Sequence, residues 1–590
     1  MNKLEQIRQL MAKDDISAYI IFNTDAHQNE YIPDRYKYIK WLTNFSGSNA
    51  VVIVTNDYAH LWTDSRYFEQ AEIELKDSGF ELMKDYGTAS YIKWLSDNLT
   101  KRSALGFNGY LANASIIVQI LDQCKDLKIK INYEYDPISK LWEDKSNKTK
   151  NKVTMLGNNI TGQSTAQKIS EIRSYMQDIN CQYNLISKLD DIAWIYNMRG
   201  NDIEYNPVVE SFTLIGLKDC VLFIDIDKLS DRDIRILNDY DIIVKDYDSV
   251  MAHLMYLFAS DRKAKFIFSK AQNCYSIYKF ISENFTFKDN LNPSTLLKSI
   301  KNEVEIKNIQ KAMRKDGIAL TRFFMWLQDN AKSGKITECD ASDKLTEFFK
   351  QDDDFISHSF STISAYKANA ALPHYSPNRQ KPVLINNDGL YLLDTGVHYN
   401  NGTTDITRVV SLGNPTEQEK KDFTLVLKAM INGLILNFPE NTKGYQIDAI
   451  VRQCLWNNLI DFGHGTGHGV GYILNVHEGP FVLNPNPINI SLLPGNLTSV
   501  EPGIYRKGQY GIRIENLALV AKNKQNYFGN FYNFKVLTSF IIQTDLVDKS
   551  LLESYHIDWL NNYNLQVIDN LKDDLTEKEI VWLKDKSKAI

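Results

Sequence analysis

A chain of 590 residues has room for three or four domains and several buried cores. Its 43% hydrophobic and 24% charged residues are those of an ordinary soluble globular protein, and no run of about 18 apolar residues offers a membrane span. A formal charge of −6, from 67 basic and 73 acidic groups with no basic block or stripe, disfavours nucleic acid as a partner.

The opening segment, Met1 to Asp15, carries charges throughout and lacks the apolar core of a signal peptide. Trp41-Leu-Thr-Asn-Phe-Ser-Gly47 is echoed by Trp194-Ile-Tyr-Asn-Met-Arg-Gly200. A charged, helix-like piece holding Ile-Arg precedes each (Ile7-Arg8 and Ile172-Arg173), followed by an apolar run at Tyr19–Phe22 and Tyr183–Ile186. Further strand-like runs follow: Ala50–Val54 and Leu61-Trp62 in the first copy, Ser211–Ile215 and Val221–Ile224 in the second. Short β-branched runs alternating with amphipathic helices predict two α/β domains of similar design, residues 1–155 and 156–302. The six cysteines (Cys124, Cys181, Cys220, Cys274, Cys339, Cys454) are far apart with no Cys-x-x-Cys pair, so reduced, mostly buried thiols in a cytoplasmic protein are expected.

The stretch Leu291–Asn302 reads as a linker into a third unit, 303–590. From Glu303 to Ala331, Ile306, Ile309, Met313, Ile318, Phe323 and Trp326 recur at mostly helical spacing and predict one or two long helices. A second helix over about Ala341–Gln351 would take Asp340 as its N-cap. Beyond it the sequence turns strand-like and rich in Gly, Asn and Pro, so the third unit is expected to be α+β.

That unit holds five potential metal ligands, Asp394, Asp405, His468, Glu501 and Glu515. Four carboxylates and one imidazole make a hard, oxygen-rich set suited to a pair of divalent ions such as manganese, iron or cobalt, and to making hydroxide from water at neutral pH. Asp394 is embedded in an apolar strand that turns at Asn400-Asn401-Gly402 and returns through Asp405 and Arg408. Centring the hairpin there pairs position 394 with 407 and makes Asp405 the diagonal neighbour of Asp394 on one face. Two carboxylates on one face repel unless a cation or a shared proton neutralises them; taken alone, they also read as solvated hairpin acids.

In Phe462-Gly-His464-Gly-Thr-Gly-His468-Gly-Val-Gly471, two histidines sit among glycines dense enough to prevent a stable helix and allow close backbone approach. His477 follows, in a segment that a Gly479-Pro480 turn would close. Ser499–Tyr505 opens a second hairpin, returning along Tyr510–Asn516. Arg513 and Glu515 share a strand face there; alone they describe a structural ion pair, and with the other acids Glu515 reads as a bridging ligand oriented by Arg513.

These segments resemble the aminopeptidase P (Xaa-Pro aminopeptidase) branch of the pita-bread metallopeptidases, closest to its long, three-domain cytosolic type. The resemblance rests on Ala-Leu-Pro-His374-Tyr, Leu-Leu-Asp394-Thr-Gly, Gly-Thr-Thr-Asp405-Ile-Thr-Arg, His464-Gly-Thr-Gly-His468-Gly-Val-Gly, Val-His477-Glu-Gly-Pro, Glu501-Pro-Gly and Arg513-Ile-Glu515-Asn. In the front half it rests on Leu61-Trp-Thr-Asp-Ser-Arg-Tyr67 and Trp194 to Pro207. It implies two creatinase-like N-terminal domains ahead of a pita-bread catalytic domain, and removal of the first residue from peptides with proline second. It also implies that the five ligands hold two ions, usually manganese, with Asp405 and Glu515 bridging, and that His374, His464 and His477 line the substrate site. A bridging hydroxide would attack the carbonyl before proline, with Glu501 taking the water's proton and His477 and His374 stabilising the oxyanion or relaying a proton. A homodimer through the front domains is the corresponding family expectation. Prolidase and methionine aminopeptidase share the metal constellation, but the two front domains and their motifs disfavour both. Non-enzymatic relatives with this fold would be expected to lose ligands.

Overall fold

The computed structural model describes residues 2–590. The chain divides into two compact units: one holds residues up to Asn158 together with Gln163–Leu296, the other Asn159–Gly162 with Leu297–Ile590. Among the described residues no helix is long and apolar enough to cross a membrane, and all six cysteines are free and buried.

In the first unit the β-branched and aromatic runs form two six-stranded sheets. The strands of one are β1 (Ala18–Phe22), β2 (Val51–Thr55), β3 (Ala59–Thr63), β4 (Glu81–Lys84), β5 (Ala104–Gly106) and β6 (Lys130–Asn132). Those of the other are β7 (Tyr183–Ile186), β8 (Ser211–Gly216), β9 (Cys220–Ile224), β10 (Ile243–Lys245), β11 (Lys265–Ile267) and β12 (Thr286–Lys288). The spatial orders, β4-β3-β2-β1-β5-β6 and β10-β9-β8-β7-β11-β12, are the same. So is the sense of every pair: β1–β2 and β2–β3 are antiparallel and the outer pairs parallel, as in the second sheet. Trp41 and Trp194 stand at matching places, in helices Tyr38–Thr43 and Leu189–Ile195 between the first two strands of their sheets. Side chains alternate across β1: Tyr19 and Ile21 join a core with Ile7 and Met11 of helix Lys3–Lys13. Ala18, Ile20 and Phe22 join another core with Ile117 and Ile120 of helix Ala114–Gln123, so both faces are covered.

In the second unit every strand pair is antiparallel. One helix, not two, runs from Glu303 to Ala331, started by a capping box between Asn302 and Glu305. Its inner face (Ala312, Leu320, Phe323, Phe324, Leu327) packs into the main core with Tyr391, Leu392 and Leu393. The next helix is Glu338–Phe349, capped by Thr337; Asp340 is the return half of that capping box rather than the N-cap. The stretch 291–302 is no open linker: it contains helix Pro293–Ser299, and the ammonium groups of Lys298 and Lys301 are buried 2.8 and 2.5 Å from the Glu478 carboxylate. Each ammonium thereby keeps a counter-charge away from water.

A six-stranded sheet carries much of the site, in the order Asn437–Pro439, Gly529–Val536, Asn516–Asn526, Leu497–Val500, Gly467–Gly469, Glu478–Leu483. Pro480 lies inside its last strand instead of closing a turn, as an edge strand permits.

Candidate metal centre

Asp394 lies on strand Leu390–Thr395 and pairs with Thr407 of strand Ile406–Ser411, the register that the hairpin centre at Asn400-Asn401 requires. Tyr399 pairs with Gly402 across a two-residue turn. Neither asparagine adopts a positive φ, and the Asn400 amide instead donates to the Asp354 carbonyl at 2.9 Å. Asp405 immediately precedes the return strand and is 4% exposed.

His468 is placed by strand Gly467–Gly469, which runs so close to its neighbours that a Cβ on Gly467 would stand 2.0 Å from the Ser499 carbonyl oxygen. Arg452 fixes the loop before it: its guanidinium donates to the carbonyls of Phe462 at 2.7 Å and His464 at 2.5 Å, and pairs with Asp448, itself bonded by Thr466 at 2.7 Å. Glu501 follows strand Leu497–Val500 and accepts from Ser499 Oγ at 3.0 Å. Glu515 follows Tyr510–Arg513, where Gly503 pairs with Arg513 in the expected hairpin.

These elements bring the acids and the imidazole together. Ligand atoms of Asp405, His468 and Glu515 all lie within 4.8 Å of one another, and His468 Nε2 is 3.4 Å from both Asp405 Oδ2 and Glu501 Oε1. His468 Nδ1 sits 2.9 Å from the Gly469 carbonyl, so the proton belongs on Nδ1 and Nε2 faces the carboxylates. Burial pushes the carboxyls of Asp394, Glu501 and Glu515 above their ordinary range, Glu501 to about 7, and Asp405 adds repulsion on each. Burial alone would lower the His468 imidazole, but Asp405 and Glu501 raise it to about 9. Asp394 Oδ1 and Glu515 Oε1 are buried and accept no hydrogen bond. Two unsatisfied carboxylate oxygens inside an acidic cluster fit divalent cations, since a buried acceptor without a donor is otherwise costly.

Arg513 donates to Asp394 Oδ2 at 2.5 Å, to Thr407 Oγ1 at 3.1 Å and to Tyr505 Oη at 2.6 Å. It therefore touches Asp394 directly and reaches Glu515 through Thr407, whose hydroxyl donates to Glu515 Oε2 at 2.9 Å. Tyr505 Oη in turn lies 2.7 Å from His464 Nε2, and His464 Nδ1 lies 2.8 Å from the Gly465 carbonyl. His477 stands edge-on to His468, ring centroids 4.3 Å apart. His374 is half-buried and follows Pro373, whose carbonyl accepts from Arg513 at 3.3 Å.

Thr407, Tyr505 and Arg452 carry contacts that sequence reasoning missed. Thr407 had a signal, two residues past Asp405 on the same strand face; Tyr505 and Arg452 had none.

Residues 307–522 match metallopeptidase family M24 and residues 530–590 the C-terminal region of that peptidase family. Residues 3–131 and 144–305 each match the creatinase/prolidase N-terminal domain. Xaa-Pro aminopeptidase 1 of Dictyostelium discoideum is 35% identical over 612 residues, covering 100% of this chain and 96% of the relative. Xaa-Pro aminopeptidase app-1 of Caenorhabditis elegans is 34% identical, covering 99% and 97%. The crystal structure of X-prolyl aminopeptidase from Caenorhabditis elegans, described as a cytosolic enzyme with a di-nuclear active site, superposes with a TM-score of 0.95 at 33% identity, covering 100% of this chain and 99% of that one. An Xaa-Pro dipeptidase from Bacillus anthracis matches 64% of this chain at a TM-score of 0.52 and 25% identity. The chain belongs to metallopeptidase family M24, on the aminopeptidase P branch of it.

Proposed function

We propose that this protein is a metal-dependent aminopeptidase that removes the N-terminal residue from peptides with proline in second position. The observation that carries the reading is the convergence of His468 with Asp405, Glu501 and Glu515, where Glu515 Oε1 and, beside the cluster, Asp394 Oδ1 are buried without a hydrogen bond. Asp394, Asp405, His468, Glu501 and Glu515 would hold two divalent cations, manganese by family expectation. When bound, the pair supplies the Lewis acidity that makes water nucleophilic near neutral pH and polarises the scissile carbonyl.

The chain's own groups do the rest. Glu501 takes the proton of the attacking water, its carboxylate aimed by Ser499. The water oxygen bonds to the carbonyl carbon, and collapse of that tetrahedral adduct breaks the carbon's bond to the proline nitrogen. That nitrogen carries no hydrogen in an Xaa-Pro bond and leaves as a secondary amine, so it needs one proton delivered. We read His477, whose ring lies against that of His468, and His374 as the groups that steady the developing oxyanion and deliver that proton. Arg513, Tyr505 and His464 form a hydrogen-bonded chain that fixes Asp394 at one end and the imidazole of His464 at the other.

The front half is read as two α/β domains, 1–155 and 156–302, ahead of the catalytic 303–590, supported by two sheets of one strand order. A cytoplasmic location is supported by six free, buried thiols and by the cytosolic description of the nematode enzyme. The homodimer rests on family expectation, and sedimentation of the purified chain tests it.

Peptides of the Arg-Pro-Pro type should lose their first residue after manganese addition, and chelator should abolish the reaction. Cleavage of Ala-Ala- or Met-starting peptides instead, by metal-loaded protein, would defeat the assignment.

A further inference from the structure

Of the buried carboxylates in the catalytic unit outside both the metal cluster and the ion pairs, one draws all its donors from a single stretch of chain. Glu338, the first residue of helix Glu338–Phe349, is 1% exposed. Its Oε1 accepts from the Tyr366 backbone amide at 2.6 Å and from Asn369 Nδ2 at 3.1 Å. Its Oε2 accepts from the same Asn369 amide at 3.1 Å and from Tyr375 Oη at 2.6 Å. Asn369 also donates to Tyr375 Oη at 2.9 Å, which closes the network.

All three partners lie on one ten-residue stretch, Tyr366–Tyr375, that includes the turn Lys367–Ala371 and His374. Strand pairing ends at Tyr366, and beyond the 3-10 helix Lys367–Ala371 the stretch has only single turn bonds from Leu372 and Tyr375, so its course toward His374 also depends on what it is fastened to. It is fastened on two sides. Toward the metal cluster, the Pro373 carbonyl accepts from Arg513, and Gly511 passes so close that a Cβ there would stand 1.7 Å from the Ala370 oxygen. On the other side, Glu338 gathers the start, the middle and the end of the stretch onto one carboxylate. An ionised carboxylate suits three donors of this kind because it only accepts, and burial strengthens each bond.

We propose that Glu338 is a positioning residue for His374: it sets the conformation of the stretch that presents this imidazole to the scissile bond. The proposal rests on the reading of His374 as a group that meets the substrate. A misplacement on the order of 1 Å at a reacting group can cost about a hundredfold in rate, which a purely structural glutamate would not show in turnover alone.

The test is a double-variant cycle on the full-length, manganese-loaded enzyme with an Arg-Pro-Pro peptide, following kcat, KM and metal content. Glu338→Ala should lower kcat about tenfold or more while KM moves less than about threefold and metal content stays that of the parent. Glu338→Ala combined with His374→Ala should turn over no more slowly than His374→Ala alone, because the glutamate then has nothing left to position. Glu338→Gln should recover part of the rate, since the Tyr375 hydroxyl can turn and accept from the new amide. Tyr375→Phe, a milder change that preserves the fold if Glu338→Ala does not, should show a smaller loss with the same non-additivity. Losses that multiply in the double variants, a parent-like kcat in Glu338→Ala and Tyr375→Phe, or a fall in metal content would each overturn the proposal. Parent-like turnover by His374→Ala would instead remove the role of His374 itself, and is read from that single variant.

Discussion

Arg513 is the cation on which the acidic cluster most depends. It is 3% exposed, and its guanidinium meets four acceptors: Asp394 Oδ2 at 2.5 Å, Thr407 Oγ1 at 3.1 Å, Tyr505 Oη at 2.6 Å and the Pro373 carbonyl at 3.3 Å. Arg513→Met keeps most of the stem but leaves a buried carboxylate beside three others without its counter-charge. Breaking a buried pair in this way costs about 3–5 kcal/mol if the remaining charge stays. In the metal-free protein Asp394 can avoid much of that by taking up a proton, because burial already pushes its carboxyl upward. The penalty then falls on metal binding, which requires Asp394 ionised and oriented. Loss of such a supporting contact weakens metal affinity by about 10–100-fold, or about 1.4–2.8 kcal/mol. Arg513→Lys retains the charge on a single nitrogen that cannot span four acceptors, and should fall between the parent and Arg513→Met. Competition of each variant with a calibrated chelator for manganese gives the affinities, and thermal unfolding of the chelated proteins separates metal effects from fold effects. Parent affinity in Arg513→Met, with kcat/KM within about twofold, would refute this reasoning.

Glu501→Gln should keep much of the metal yet lose turnover by about 10²–10⁴-fold, measured as metal content beside kcat; a near-parent rate would show that Glu501 is not the base. The chelated protein should lose stability as pH rises. Glu501, raised from 4.5 to about 7, and Glu515, also raised by burial, bind more protons folded than unfolded, and His468, raised from 6.5 to about 9, adds the same sign. The melting temperature of the chelated form should therefore fall between about pH 5 and 9, and metal should flatten the curve; a rise over that window contradicts the assignment. Gly511→Ala, whose new methyl would meet the Ala370 oxygen, should destabilise the fold by about 1–3 kcal/mol and depress turnover, read by thermal unfolding and peptide kinetics. Parent values for both would mean that the Tyr366–Tyr375 stretch moves freely aside.

Much of this architecture is legible in the sequence because it rests on short-range rules. The apolar run around Asp394 and the two-residue turn at Asn400-Asn401 fix the pairing with Thr407, since strand register follows from turn length. The order of apolar runs after Trp41 and after Trp194 anticipates two sheets of like strand order. The helix start at Thr337 was also within reach: Thr337-Glu-Cys-Asp340 has the spacing of a capping box, in which the acidic residue sits three positions inside the helix, and taking Asp340 for the cap displaces the start by that much. Other features are set by partners far along the chain. Lys298 and Lys301 resemble solvated lysines of a linker until Glu478, 180 residues beyond Lys298, is seen to draw them inside. Arg452 reads as an ordinary helical arginine, yet it is 1% exposed and pins the glycine-rich loop before His468. Buried polar partnerships of this kind depend on tertiary proximity, which hydrophobic periodicity does not encode.

At the heart of the site, five side chains from three segments of the catalytic unit are read as sharing a pair of cations. Anomalous diffraction at the manganese edge, on crystals of the manganese-loaded protein, addresses it without any assay of activity. Two peaks should appear among Asp394, Asp405, His468, Glu501 and Glu515, with Asp405 and Glu515 between them. Peaks elsewhere, or none at that cluster, would contradict it.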